Sequence, residues 1–181
     1  MTNLERYKSS EPVFFDGDII ITDPCYIIRA EHHGTSPITD DDWMASHYGS
    51  RMEALGIEHY MTRDTLYGDW SCTVYNTDTK EEIGNFCADA GMVSVFLLDE
   101  VLKYNPDFDY HISRKWTTAL IKDFRGTIQF VVEHETGVYE EDTEFWKKGE
   151  TWEDYSVHVV GCGVNKKNGK RINFRSVQTG L

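Results

Sequence analysis

The sequence predicts an α+β, mainly β domain: antiparallel hairpins forming a sheet or sandwich, with one or two short helices. Three observations carry this. Short β-branched and aromatic runs alternate with clusters of turn residues along most of the chain. The segment Asn165-Lys166-Lys167-Asn168-Gly169-Lys170 separates two such runs and holds an Asn-Gly pair suited to positive φ. Only a few stretches, each under about 12 residues, are compatible with a helix.

Taken in order, residues 1–12 are polar and end at Pro12, which predicts a loosely held, flexible N-terminal arm ahead of a single domain over 13–181. Val13-Phe14-Phe15 and Ile19-Ile20-Ile21 flank Asp16-Gly17-Asp18, and the second run reads as a buried strand ended by Asp23-Pro24. Thr39-Asp40-Asp41-Asp42 suits a helix cap ahead of Trp43, Met44 and His47, with a second helical piece near 51–57. Three consecutive acids at a helix start complement the helix dipole, so they need no metal to explain them. Cys72–Tyr75 and Ile83–Phe86 read as a hairpin across 76–80, and Met92–Leu98 as a strand. Residues 99–104 suit a short helix stopped by Asn105-Pro106. Thr117–Phe124 and Thr127–His134 read as a hairpin turning at Arg125-Gly126, and Tyr155–Val164 with Ile172–Gln178 as the last hairpin. Residues 136–154 show no clean period and read as a long ordered excursion or a short helix near 140–147.

At 181 residues, with 40% hydrophobic and 13% aromatic content, the chain suffices for one core and is short for two. No signal-like N-terminus precedes the domain, and the longest nearly apolar run, 92–98, is far below the roughly 20 residues of a membrane span. The four cysteines, Cys25, Cys72, Cys87 and Cys162, stand far apart, which predicts reduced thiols and a cytoplasmic setting. A net charge of −13 argues against general nucleic-acid or anionic-membrane binding. That charge is polarised. No acid follows Asp154, and the basic tail leaves the first 154 residues at −18, while residues 131–154 hold nine acids against two lysines. Such polarity permits head-to-tail homo-oligomers as well as local ligand sites.

The chemistry-bearing candidates are few. Asp23-Pro24-Cys25-Tyr26 places an acid, a thiol and a phenol at the end of a buried strand, so Cys25 assisted by Asp23 is the catalytic candidate. A nucleophilic cysteine also needs a base, and the spacing assigns it none of the seven histidines. The plainer reading is a buried thiol. His158 and Cys162 lie too far apart on a strand, at about 3.3 Å per residue, to share an ion, and no paired Cys/His spacing occurs. No metal or cofactor is assigned. Gly161-Cys162-Gly163 lacks the third glycine of a dinucleotide fingerprint. His111-Ile112-Ser113 has no second element of the two-histidine phosphoesterase kind.

The boxes Asp23-Pro24-Cys25-Tyr26, Cys87-Ala88-Asp89-Ala90-Gly91-Met92 and Leu120-Ile121-Lys122-Asp123-Phe124-Arg125-Gly126 resemble those of a loose group of uncharacterised bacterial and bacteriophage proteins. That group shows an Ile-x-Asp-Pro-Cys-Tyr box and a Val-Asp-Ala/Ser-Gly box; Ala88 stands here in the place of the Val. The resemblance covers about a fifth of the chain and brings no reaction with it. It implies a bacterial cell or an infected host, where small accessory proteins block host-defence components or capture signal molecules.

The sequence therefore points to an accessory binding protein acting without catalysis, in one of two modes. A small anionic, nucleotide-like ligand fits Lys166, Lys167, Lys170, Arg171 and Arg175. A basic-faced host protein fits Glu140, Glu141, Asp142 and Glu144, whose charge imitates nucleic acid. The enzyme alternative is a hydrolase or transferase using Cys25.

Overall fold

A computed structural model describes residues 2–8, 10–29, 52–66, 70–114 and 116–179. The helix expected near 40–47 lies outside these, and of the second helical piece the described residues 52–54 are helical, with Leu55 N–H meeting Met52 O. The described residues hold nine strands: β1 (Thr2–Lys8), β2 (Val13–Thr22), β3 (Tyr60–Asp64), β4 (Trp70–Asn76), β5 (Glu82–Ala88), β6 (Met92–Leu97), β7 (Thr118–Val138), β8 (Thr151–Asn165) and β9 (Arg171–Gln178). Two short helices, α1 (Leu98–Tyr104) and α2 (Asp109–Arg114), join β6 to β7. The mainly β, α+β class is what the alternating runs predicted.

All strand pairs are antiparallel, in the order β3-β6-β2-β7-β8-β9-β4-β5, with β1 also on β7. The sheet curls. At its end β5 returns to the start of β7, where Cys87 N–H meets Thr117 O at 3.4 Å. Ile19 and Ile21 face the inner core with Phe15, Phe124, Phe130 and Phe174, while Ile20 faces an outer core with Phe96, Val101 and Phe108. Burial on both faces explains the unbroken β-branched run.

Three segments differ from the sequence reading. Residues 2–8 form β1, a strand continuing the line of β2 along β7, with the gap between them bridged by Phe130 N–H to Ser10 Oγ at 2.9 Å. The exposed side chains of residues 2–6 explain why so polar a segment looked like a loose arm; its hold is the backbone ladder and Arg6–Glu133 at 2.8 Å. Asp16-Gly17-Asp18 is a bulge inside β2 rather than a break, with Gly17 at φ 145° and Asp18 Oδ1 accepting Asp123 N–H across the strands.

The third difference is larger. Arg125-Gly126 makes no turn, because β7 runs unbroken for 21 residues. Gly126 pairs directly with Gly163, and a Cβ on either would overlap the partner strand's backbone. The glycine therefore serves close strand approach. Beyond residue 130, β7 pairs with β1 and β8 alone; Val132 and Val157 still pack in the inner core, and the outer part of these three strands forms an arm capped by the 139–150 connection. No helix among the described residues is long and apolar enough to cross a membrane.

Candidate functional site

Two of the short boxes meet at one corner. Thr22 ends β2, and Asp23 caps the 3-10 turn Pro24–Tyr26 by accepting Cys25 N–H at 2.9 Å through Oδ1. Its Oδ2 accepts Ala90 N–H at 2.7 Å and Met92 N–H at 3.2 Å, tying the end of β2 to the β5–β6 turn. The Tyr26 phenol donates to Asp89, and the His111 ring from α2 packs on Tyr26 at 5.2 Å. Asp23, Cys25 and Asp89 are thus assembled around one turn.

The electrostatics of this corner suit structure better than nucleophilic attack. Burial pushes the Asp23 carboxyl up, against the pull of its three N–H donors. Burial pushes the Cys25 thiol up strongly, and the Asp23 and Asp89 carboxylates push it further. A reactive cysteine needs cationic neighbours instead. Burial and Asp89 likewise raise the Tyr26 phenol, while burial and Arg114 lower His111. Among the described residues no group of three or more His, Cys, Asp or Glu is placed to hold a metal ion.

The basic residues proposed for an anion are mostly matched with acids. Lys166 meets Asp16 at 2.6 Å, Lys167 meets Asp123 at 3.5 Å and Arg171 meets Asp78 at 3.2 Å. Arg175 lies apart from the turn on β9, where it bonds Glu133 beside Arg6 and His158. Lys170 is used through its backbone, its C=O accepting Asn165 N–H at 2.8 Å. The five cations therefore do not converge on one site.

The acidic candidates share one connection. Glu140, Glu141, Asp142 and Glu144 all stand exposed on the 139–150 connection at the end of the arm. This segment is an ordered excursion without a helix. Tyr139 exchanges backbone bonds with Glu150 and Gly149 at 2.9 Å, and Thr143 N–H reaches Trp146 O at 2.8 Å. Asp142 Oδ1 accepts Lys148 N–H and Glu150 Oε2 accepts Lys147 N–H, so two carboxylates shape the turn they charge. Trp146 lies parallel to Tyr139, centroids 5.4 Å apart, while Phe145 is 78% exposed. Sequence reasoning named the acids and missed these aromatics, although Phe145-Trp146 interrupting an acidic run was the available signal.

No family model matches the chain, and no curated protein or solved structure matches it either.

Proposed function

We propose that this protein acts without catalysis as a binding protein, docking a basic-faced protein through the acidic, aromatic end of the β7–β8 arm. One observation carries the reading: the arm ends in a hydrogen-bonded turn that exposes four carboxylates and a phenylalanine together. An excess of one charge at the end of an arm, here five acids against Lys147 and Lys148 over 139–150, steers association with the opposite sign and sets register, while the aromatic supplies apolar contact. In the bacterial or bacteriophage setting that the short boxes imply, the partner is a cytoplasmic host protein whose basic face ordinarily meets nucleic acid. Blocking a host-defence component is one role of that kind. The anion-capture reading has less support, because four of its five cations already face carboxylates.

Native mass spectrometry of the protein isolated from its own cells tests the choice. The expected result is a bound protein that is lost when Glu140, Glu141, Asp142 and Glu144 are changed to Gln and kept when Lys167 and Arg171 are changed to Glu. A bound mass of nucleotide size with the opposite mutational pattern would overturn it.

A further inference from the structure

We infer that Phe145 is the anchor of the docking surface, inserting into an apolar pocket rimmed by lysine or arginine on the partner protein. This rests on the docking reading above and adds to it the partner's local chemistry. Phe145 is the most exposed large apolar side chain among the described residues, at 78% against 49% for its neighbour Trp146. The two rings have different jobs. Trp146 is stacked on Tyr139 with an interplanar angle of 6°, so it braces the turn from within and leaves Phe145 to face outward.

The turn holds that presentation before any partner arrives. Backbone bonds close it at Tyr139 with Gly149 and Glu150 and again at Thr143 with Trp146, and Trp146 N–H also reaches Thr143 Oγ1 at 3.0 Å. A preformed turn loses little freedom on binding, which is the condition under which one aromatic side chain dominates an interface. Other exposed aromatics are differently placed. Tyr110 and Trp116 lie under the Arg114 guanidinium, at 4.6 and 5.6 Å from the ring centroids. Phe145 instead has Glu144 beside it, and the 139–150 turn carries five acids against Lys147 and Lys148, so its surroundings are net acidic. Complementarity to those charges puts cations at the pocket's rim, where they set the rate of encounter, while the buried ring sets the lifetime of the complex.

The test places the photo-crosslinker p-benzoylphenylalanine at position 145 of the full chain, with position 14 on β2 as control, and irradiates intact cells. Peptide sequencing of the adduct then locates the contact, and the captured partner is purified and titrated. The expected result is a site-145 adduct at an apolar pocket flanked by Lys or Arg. Phe145→Ala then weakens binding about 30-fold or more through faster dissociation, with the salt dependence kept, and Phe145→Leu retains most affinity. An adduct on a flat polar surface, on nucleic acid or on a second copy of this chain would overturn the inference, as would no adduct specific to position 145. Wild-type affinity in Phe145→Ala beside loss in Glu141→Gln/Glu144→Gln would remove the anchor and leave the docking reading standing. The reverse pattern would remove the electrostatic reading and leave the anchor.

Discussion

Asp23 Oδ2 accepts the backbone N–H of Ala90 at 2.7 Å, joining two positions 67 residues apart in the chain. The same oxygen takes Met92 N–H, and the other takes Cys25 N–H, so one buried side chain satisfies three backbone donors. Asp23→Asn keeps one acceptor oxygen, which can stay on Ala90 and Met92 N–H, and turns an NH2 group toward Cys25 N–H. Leaving that one N–H unpaired and facing another donor costs roughly 1–3 kcal/mol of stability. Urea unfolding measures it directly, and a loss below about 0.5 kcal/mol would show that the clasp is dispensable.

The thiols of the chain should react in a definite order. Cys162 is exposed on β8, whereas Cys72 is buried in the inner core and pushed up to about 12 by burial. Cys25 is half-buried, with two carboxylates opposing its ionisation. Iodoacetamide at neutral pH is therefore expected to label Cys162 in the folded protein, and Cys25 and Cys72 only on denaturation. Rapid native labelling of Cys25 would revive the hydrolase or transferase reading.

Local chemistry in the sequence shows the turns and conceals the long-range pairings. Asn165-to-Gly169 was readable because Asn165 Oδ1 caps Lys167 and Asn168 N–H and Gly169 supplies φ 71°, all within five residues; Asn168 itself does not take a positive φ. Nothing near Arg125-Gly126 reveals that Gly163 will lie opposite, so a glycine required by strand approach reads as a turn. The same applies to β1, whose partner on β7 lies more than 120 residues away. The candidate site was half legible: carboxylates declare themselves by charge, but the support that Tyr139 gives Trp146 depends on a fold of the connection that has no helical or strand period.

The two hairpin turns offer a paired experiment. Asn76 caps Asp78 and Thr79 N–H as Asn165 caps its own turn, and Lys80 at φ 65° stands where Gly169 stands in the other. A side chain in the left-handed region costs about 1–2 kcal/mol, partly offset by the flexibility glycine brings to the unfolded chain. Lys80→Gly should therefore stabilise by about 0.5–1 kcal/mol and Gly169→Ala destabilise by about 1 kcal/mol. Thermal unfolding of both variants checks it; shifts of the same sign would contradict the shared geometry.

Gly126→Ala distinguishes an unbroken β7 from the hairpin that the sequence suggests. In the strand, the added methyl meets Cys162 O and Gly163 Cα and forces β7 and β8 apart, an overpacking cost of about 3 kcal/mol. In an exposed turn that tolerates a side chain the same change would be nearly silent. Unfolding by urea decides between them, and hydrogen exchange should locate the loss of protection on both sides of the Gly126–Gly163 pair.

His158 gives the fold a defined acid response. The residue is buried, 4% exposed, and Nδ1 faces the Ser176 carbonyl at 2.6 Å, so that nitrogen carries the proton. Nε2 of the neutral ring accepts from Ser156 Oγ at 3.0 Å, with Glu133 Oε2 3.3 Å away and Arg175 and Arg6 bonded to that same Glu133. Burial, the largest influence, holds His158 below its ordinary value of 6.5 despite the help of Ser176 and Glu133. The unfolded chain then binds the proton more readily, so the stability contributed is full above about 6.5 and falls as pH drops below it. His158→Asn retains a donor for Ser176 and removes the titration. It should flatten the fall in unfolding free energy as pH drops below about 6.5 by up to ~1.4 kcal/mol per pH unit. His111, also held down by burial and by Arg114, contributes a fall of the same sign that survives in the variant. Equal slopes in the two proteins would show that His158 titrates alike in the folded and unfolded chain.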